Sequence, residues 1–364
     1  VQPTKAVGTT PFRILGARTD SPSFKLKPKP TTGSEGVLQA GVEIYGGPLL
    51  NSWLDRELEF AGRVTFSDGS TELVRTGPLL RFPQLAIHLD RGVNDKLTLK
   101  RQAHMNPMFG LGERDDADVL AHLASILSSK TTDRSADEID GYDIVVADTA
   151  APAVFGLDDA LFASGRLDNL SSVHAGLVAL IGLDTKLDHI PLFVAFDHEE
   201  IGSASRSGAG GPFLADLIAR ISAGLGGSET DRMRSVAESW CLSSDAGHAA
   251  HPNYPERHDP ANRPRLGGGP LLKINANQRY ATDGPGAAEW ARACRQAGVD
   301  YQEFVSNNDM PCGSTIGPIT ATRLGIRTID VGLPLLSMHS AREMCGVADP
   351  IALSRAIAAF FAPE

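Results

Sequence analysis

The chain has 364 residues, of which 42% are hydrophobic and 21% charged, and its formal net charge is −10. This length suffices for one large domain or two smaller ones, and the acidic balance argues against nucleic acid as a partner. No apolar run reaches about 18 residues, so we expect neither a transmembrane helix nor a membrane partner. Four widely spaced cysteines without a C-x-x-C pair indicate reduced thiols and a cytoplasmic protein. The chain starts at Val1 without a signal peptide, and we expect a further segment upstream.

The first part of the chain is predicted to be mainly β-structure. A short strand at residues 12–16 is followed by β-branched and alternating runs from about residue 23 to 110. Asp68-Gly69, between two such runs, predicts a hairpin. Residues 113–140 carry one helical pattern and then a polar loop, and YDIVVA at 142–147 is typical of another strand.

After about residue 152 the pattern changes to alternating strands and helices. Helices are predicted over 170–183, 212–224, 286–298 and 349–361, and strands over 192–196, 271–275 and 326–331. This alternation predicts an α/β fold with a mostly parallel sheet flanked by helices. The strand at 12–16 is expected to join that sheet, which makes the β-rich middle an insertion.

Acidic and histidine residues follow several of these strands. Ligands of open α/β sheets gather at the carboxyl ends of the strands, and five positions qualify: Asp20, Asp168, the pair Glu199-Glu200, Asp245 and His339. Singly, each has a simpler interpretation as a helix cap, a turn residue, a solvated acid or a structural histidine. Their coincidence favours a site for Zn²⁺ or a similar divalent ion.

The adjacent acids Glu199 and Glu200 suggest a division of work at such a site. Neighbouring side chains of an extended segment point in opposite directions, so one carboxylate can bind a metal while the other acts as a base. A metal lowers the pKa of a bound water from about 15.7 to around 7, within reach of a carboxylate base. We assign Glu200 as the ligand and Glu199 as the base.

Nine motifs in order carry a resemblance to a known family. They are TDSPSFKLKP, LNSWLDREL, LAIHLDR, SGRLDNLSS, FDHEEIGSAS, HAAHPNYPERH, KINANQRYATDG, NDMPCGSTIGP and MHSARE. Together they resemble the aspartyl aminopeptidase family of co-catalytic zinc metallopeptidases. The resemblance implies a zinc-peptidase-like catalytic domain at residues 1–21 and 153–364, with an inserted β-rich dimerisation domain at 22–152.

The resemblance also implies roles for individual residues. Asp168 would bridge two zinc ions (Co²⁺ or Mn²⁺ being alternatives), with Glu200 and His339 completing one site and Asp245 serving the other. Glu199 would be the general base, oriented by Asp20. The substrate would contact four residues, which are His88 (from a neighbouring subunit), His248, Lys273 and Tyr280. The family forms tetrahedral dodecamers built from dimers, so we expect a homo-oligomer.

One position departs from the family pattern. The family motif reads GAHTDSP or close to it, and its histidine is a metal ligand, whereas this chain has Arg18 there. A guanidinium has no lone pair to donate to a metal. Three interpretations remain open: a second metal bound weakly with water in the vacancy, Arg18 lying near Asp168 and Asp245 with its charge in place of the metal, or a single-base change of a histidine codon.

The function expected from the sequence is release of N-terminal Asp or Glu from peptides by a metal-dependent aminopeptidase. Lys273 would supply the cation that an acidic substrate side chain needs. Taken alone, the sequence around Lys273 is also typical of an exposed lysine at a strand edge. The alternatives are an impaired or inactive homologue acting as an oligomeric scaffold, because of Arg18, and an aminopeptidase for neutral residues. Cys312 could be taken for a nucleophile, but no partner pattern of a cysteine peptidase accompanies it.

Overall fold

The computed structural model describes residues 6–128, 134–183 and 186–364, and the chain folds into two compact units. The first contains the residues up to Ser21, Ala153–Met338 and Glu343–Glu364. The second contains Pro22–Pro152 and His339–Arg342. The sequence interpretation kept residues 339–342 in the catalytic domain, whereas the structure groups them with the second unit. The catalytic and dimerisation roles of the two parts stay predictions.

The strands and helices have the following bounds. The strands are β1 Phe12–Arg18, β2 Ser23–Ser34, β3 Val37–Tyr45, β4 Leu58–Phe66, β5 Thr71–Arg75, β6 Met108–Leu111, β7 Ile139–Asp148, β8 Ala153–Phe155, β9 Leu161–Ser164, β10 Ile190–Phe196, β11 Trp240–Ser244, β12 Gly247–His248, β13 Leu271–Lys273, β14 Gln302–Phe304, β15 Arg327–Gly332, β16 Pro334–Leu335 and β17 Glu343–Gly346. The helices are α1 Arg101–His104, α2 Val119–Ser128, α3 Leu167–Ile181, α4 Phe213–Gly224, α5 Glu229–Glu238, α6 Gly284–Ala297, α7 Ile316–Leu324 and α8 Asp349–Phe361.

The first unit is built on a six-stranded sheet in the order β10-β1-β11-β15-β13-β14. Strands β10, β1, β11 and β15 run parallel, and β13 joins β15 in the antiparallel sense. Alternation along β1 sends Leu15 into a core with α3, α6 and α8, and Phe12 and Ile14 into a core with α4, α5 and α7. Helices therefore cover both faces, and the predicted zinc-peptidase-like α/β fold is confirmed.

The second unit is an antiparallel sheet of six strands in the order β5-β4-β7-β2-β3-β6. The predicted hairpin at Asp68-Gly69 joins β4 to β5, and Gly69 takes a φ of 81°, which glycine adopts at little cost. One face packs on α2 through a core that includes Phe24, Phe60 and Leu123. The polar loop predicted after α2 lies partly outside the described residues.

The four cysteines differ in exposure, which gives a first test of the fold. Cys241, Cys294 and Cys345 are buried, and burial raises the pKa of each thiol to about 12. Cys312 is partly exposed. Because the thiolate is the reactive form, we expect one fast-reacting thiol per native chain and four after denaturation, measured with a chromogenic disulfide reagent. Cys312→Ser should remove the fast phase, and a second fast thiol in the native chain would contradict the packing described.

In the part of the chain that the structure describes, no helix is long and apolar enough to cross a membrane.

Candidate active site

Three neighbouring parallel strands deliver most of the predicted site residues to one edge of the sheet. The central strand β1 ends at Arg18 and is followed by Asp20, β10 is followed by Glu199 and Glu200, and β11 is followed by Asp245. Because all three strands run parallel, their carboxyl ends lie side by side. Asp168 comes from the first turn of α3, where its ψ of 100° departs from helical geometry.

Four of these carboxylates surround the side chain of Arg18. The arginine Nη2 atom lies 2.7 Å from Asp168 Oδ1 and 2.5 Å from Glu200 Oε1. The Nε atom lies 3.4 Å from Asp245 Oδ1 and 3.6 Å from Glu199 Oε2. We call Asp168, Glu199, Glu200 and Asp245 the acidic cluster. Arg18 is therefore within ion-pair distance of every member of it.

Asp168 and Asp245 of the acidic cluster are buried, Glu199 and Glu200 are half-buried, and this burial dominates the electrostatics of the cluster. Arg18 is 2% exposed; burial by itself would lower its pKa, but the charges of the cluster raise it well above the usual value, so the guanidinium stays protonated. Burial and then the charge of Asp245 raise the pKa of Glu199 to about 9. Burial raises the pKa of Asp245 to about 6, although the positive charge of Arg18 acts to lower it. The single guanidinium therefore offsets the negative charge of the acidic cluster only in part.

Asp20 holds the two adjacent glutamates by their backbone. The Glu199 N–H donates to Asp20 Oδ1 and the Glu200 N–H to Asp20 Oδ2, both at 3.1 Å. The Arg18 Nη1 atom donates to the Asp20 carbonyl. His198 precedes the pair with a φ of 59°, which turns the chain away from β10. The orienting role predicted for Asp20 thus has a definite contact, although through the backbone of Glu199 rather than its carboxylate.

Asp168 is held from several sides. Its N–H donates to Glu343 Oε2 at 2.8 Å, and its carbonyl accepts the Ser21 hydroxyl at 2.8 Å. The next side chain, Asn169, donates to the Ser244 carbonyl at the end of β11. Glu343 is a buried acid that sequence reasoning missed, although it ends the MHSARE motif on which the resemblance rests.

Lys273 is buried rather than exposed at a strand edge, so that simpler interpretation is wrong. It is 1% exposed, and its Nζ donates to the carbonyl of Ala246 at 2.7 Å and lies 5.3 Å from the centre of the Tyr280 ring. Among the described residues, no carboxylate comes within 4.0 Å of this Nζ. Buried charges in proteins are normally paired, and Lys273 interacts with Asp245 through its charge without ion-pair contact.

The three predicted histidines take different places. His248 is exposed on β12, in the first unit. His88 is exposed in a turn of the second unit. His339 opens the segment that groups with the second unit, where its carbonyl accepts the Leu49 N–H and its Nδ1 lies 3.1 Å from the Gly47 carbonyl. The assignments of His88 and His248 to substrate and of His339 to a metal stay predictions.

A close backbone approach at Gly332 fixes the position of Asp245. The Asp245 N–H donates to the Val331 carbonyl at 3.0 Å, and a Cβ atom on Gly332 would lie 1.7 Å from the Asp245 carbonyl oxygen. We expect Gly332→Ala to lower the free energy of unfolding by about 1–3 kcal/mol, because the backbone must shift. Gly284→Ala, where a Cβ meets no atom within 4 Å, is the matched control. Equal denaturation midpoints for the two variants would contradict this close approach.

The carboxylates of the acidic cluster favour binding of a metal ion, whereas the Arg18 side chain among them opposes it. Carboxylates such as these are hard ligands that divalent cations accept. However, Arg18 already pairs with the oxygen atoms of the acidic cluster and contributes a positive charge of its own. As the residues stand, the cluster does not fit a metal ion between Asp168 and Asp245.

Comparison with known proteins identifies the family. The profile described as "Aminopeptidase I zinc metalloprotease (M18)" matches residues 4–361. The chain belongs to this family. A "Probable M18 family aminopeptidase 2" from Streptomyces avermitilis is 55% identical over 357 residues, which cover 96% of this chain and 82% of the relative. The predicted resemblance and the enzyme class of zinc metallo-aminopeptidase are thereby confirmed.

Solved M18 structures share the fold. The chain matches one titled "Cryo-EM structure of the Ape4 and Nbr1 complex" at 37% identity and a TM-score of 0.93, covering 99% of this chain and 73% of that one. It matches "Structure of S. cerevesiae mApe1 dodecamer" at 26% identity and a TM-score of 0.83, covering 100% of this chain and 82% of that one. Within the M18 family, Arg18 in the acidic cluster is the feature of this chain that needs a functional explanation.

Proposed function

We propose that this M18 family member is an aminopeptidase that removes N-terminal Asp and Glu from peptides. The observation that carries the proposal is Lys273, a buried cation with no carboxylate within 4.0 Å among the described residues. An acidic side chain of a substrate would supply the missing partner, since a charge-assisted hydrogen bond to a buried ammonium is strong. A neutral side chain would leave the ammonium unpaired.

The catalytic assignment rests on the geometry of the adjacent acids. Glu199 follows β10 with its backbone N–H bound to Asp20, and in its carboxylate form it can take a proton from an attacking water. Asp168, Glu200 and His339 are proposed as the ligands of one zinc ion, which when bound would polarise water and the peptide carbonyl. Asp245, predicted as a ligand of a second zinc ion, lies beside the Arg18 guanidinium instead. Asp20 is a positioning residue. Tyr280, His248 and His88 are proposed to contact the substrate.

A homo-oligomer belongs to the same proposal. The solved relative titled as a dodecamer supports it, because that relative shares the fold over the whole described chain. We propose that this chain assembles likewise, as a dodecamer built from dimers, with the β-rich second unit forming the dimer contact.

The experiment that tests the specificity compares peptides that differ only in their first residue. Purified protein with added Zn²⁺, Co²⁺ or Mn²⁺ should release Asp and Glu from peptides faster than Ala or Leu. Lys273→Met should lower kcat/KM on acidic substrates by about 10-fold or more, with less effect on neutral ones, because a charge-assisted hydrogen bond contributes about 1.5–3 kcal/mol. Lys27→Met, at a partly exposed lysine of the second unit, is the control, and a preference for neutral residues in the unaltered protein would refute the proposal.

A second candidate function is favoured by one observation. Because Arg18 pairs with the acidic cluster, the chain fits a catalytically impaired homologue that serves as an oligomeric scaffold. Absence of hydrolysis with any of the three metals, in a protein that still assembles, would favour the scaffold. Any turnover that Glu199→Gln abolishes would exclude it.

A further inference from the structure

The position of Arg18 implies more than a lost ligand. Its guanidinium does not point away from the acidic cluster to solvent, as a long flexible side chain near a surface can. It is 2% exposed, and its Nη2 atom bridges Asp168 and Glu200, which come from different elements of the fold. The Nη1 atom lies 3.4 Å from the Asp168 carbonyl.

We propose that Arg18 is a built-in cation of the acidic cluster, which takes the place of one metal ion between Asp168 and Asp245. The cluster then folds without metal, and the chain binds fewer divalent ions than the same chain with histidine at this position. This inference concerns the same cluster as the proposed peptidase activity, but it does not depend on that activity.

The geometry of the guanidinium supports the replacement. The guanidinium lies within ion-pair distance of carboxylates on three elements, which are the start of α3, the segment after β10 and the segment after β11. A metal ion held by Asp168 and Asp245 would need two of these carboxylates. The two cations exclude each other, because both need the same oxygen atoms and their charges repel.

When no metal is bound, the positive charge of Arg18 is needed to reduce the repulsion among the carboxylates of the acidic cluster. Four neighbouring carboxylates, two of them buried, would repel one another without a cation, and removing one partner of a buried ion pair leaves an uncompensated charge that is strongly destabilising. Arg18 therefore has a stabilising role that a histidine could fill only with a metal bound. The folding of this chain is expected to be independent of zinc, and that of an Arg18→His variant to be linked to zinc.

The test compares the unaltered chain with Arg18→His by two measurements, zinc per chain after dialysis and melting temperature in EDTA and in excess zinc. We expect Arg18→His to bind at least one more zinc per chain, to melt several degrees lower than the unaltered chain in EDTA and to recover in zinc. The unaltered chain should melt at a temperature that changes less between the two buffers. Arg13→His is the matched control: Arg13 lies on the same strand and pairs with Glu289, away from the cluster, so its zinc content should equal that of the unaltered chain.

Equal zinc contents for the unaltered chain and Arg18→His, or equal melting temperatures in EDTA, would overturn the inference. If Arg18→His does not fold, calorimetric titration of the unaltered chain with zinc decides: two tight equivalents overturn the proposal, and one or none supports it. A chain without peptidase activity that still behaves as expected here would refute the proposed function and leave this inference standing.

Discussion

Replacing Arg18 by histidine is expected to raise the rate of aspartyl-peptide hydrolysis in excess zinc by at least about 10–100-fold. Loss of a group that merely supports a metal ligand typically costs 10–100-fold in affinity or activity, and a ligand position should weigh at least as much. The structure supplies the reason, because Arg18 pairs with Asp168 and Glu200 and adds a positive charge where the metal would lie. The measurement is kcat/KM on one acidic peptide, with each protein saturated with zinc.

Two controls accompany this experiment. Arg18→Lys keeps the charge but removes the planar fork, and it should stay as slow as the unaltered chain because an ammonium also repels a metal. Arg13→His adds a histidine elsewhere on β1 and should not increase the rate. Full activity of the unaltered chain, unchanged in Arg18→His, would show that Arg18 moves aside in the working enzyme.

Substituting Glu199 by Gln is expected to lower kcat by about 10²–10⁴, the usual contribution of a general base. Gln is close in size to Glu and keeps the backbone contact of residue 199 with Asp20, but it cannot take a proton. The loss is best measured both in the unaltered chain and in Arg18→His. KM should change far less than kcat, because the carboxylate is proposed to act on the water rather than to bind the peptide.

Glu256→Gln provides the matched control for that substitution. Glu256 is exposed on a short 3-10 helix and lies 3.5 Å from Arg257, where a surface ion pair contributes little. Its kcat should equal that of the parent protein. If Glu199→Gln retained most of the activity, another residue would have to be the base.

Much of the first unit could be predicted from the sequence, and the misses have physical causes. Strand β1 and helix α8 carry clear apolar patterns and were predicted close to their observed bounds. Strand β11 was missed because Ser243 and Ser244 make it look polar, yet both are buried and the Ser244 hydroxyl donates to Ser172. Helix α5 was missed because few of its residues are apolar, although its capping box at Ser228 and Asp231 is a sequence signal.

The sequence was sufficient to predict which residues form the candidate site, but not where the Arg18 side chain lies among them. Strand order places Asp20, Glu200 and Asp245 at one sheet edge, and the rule for α/β sheets anticipates that. The sequence left three interpretations of Arg18 open, because a long side chain at a strand end can turn inward or outward. Only the packed structure shows it buried in the acidic cluster, which supports the interpretation in which its charge stands in for a metal.

The most direct test of this account is the distribution of zinc in crystals grown with excess zinc, located by anomalous scattering at the zinc edge. We expect no anomalous peak between Asp168 and Asp245, and density for the Arg18 guanidinium among the four carboxylates of the acidic cluster. A strong peak between those two aspartates, with the Arg18 side chain turned away from the cluster, would contradict it.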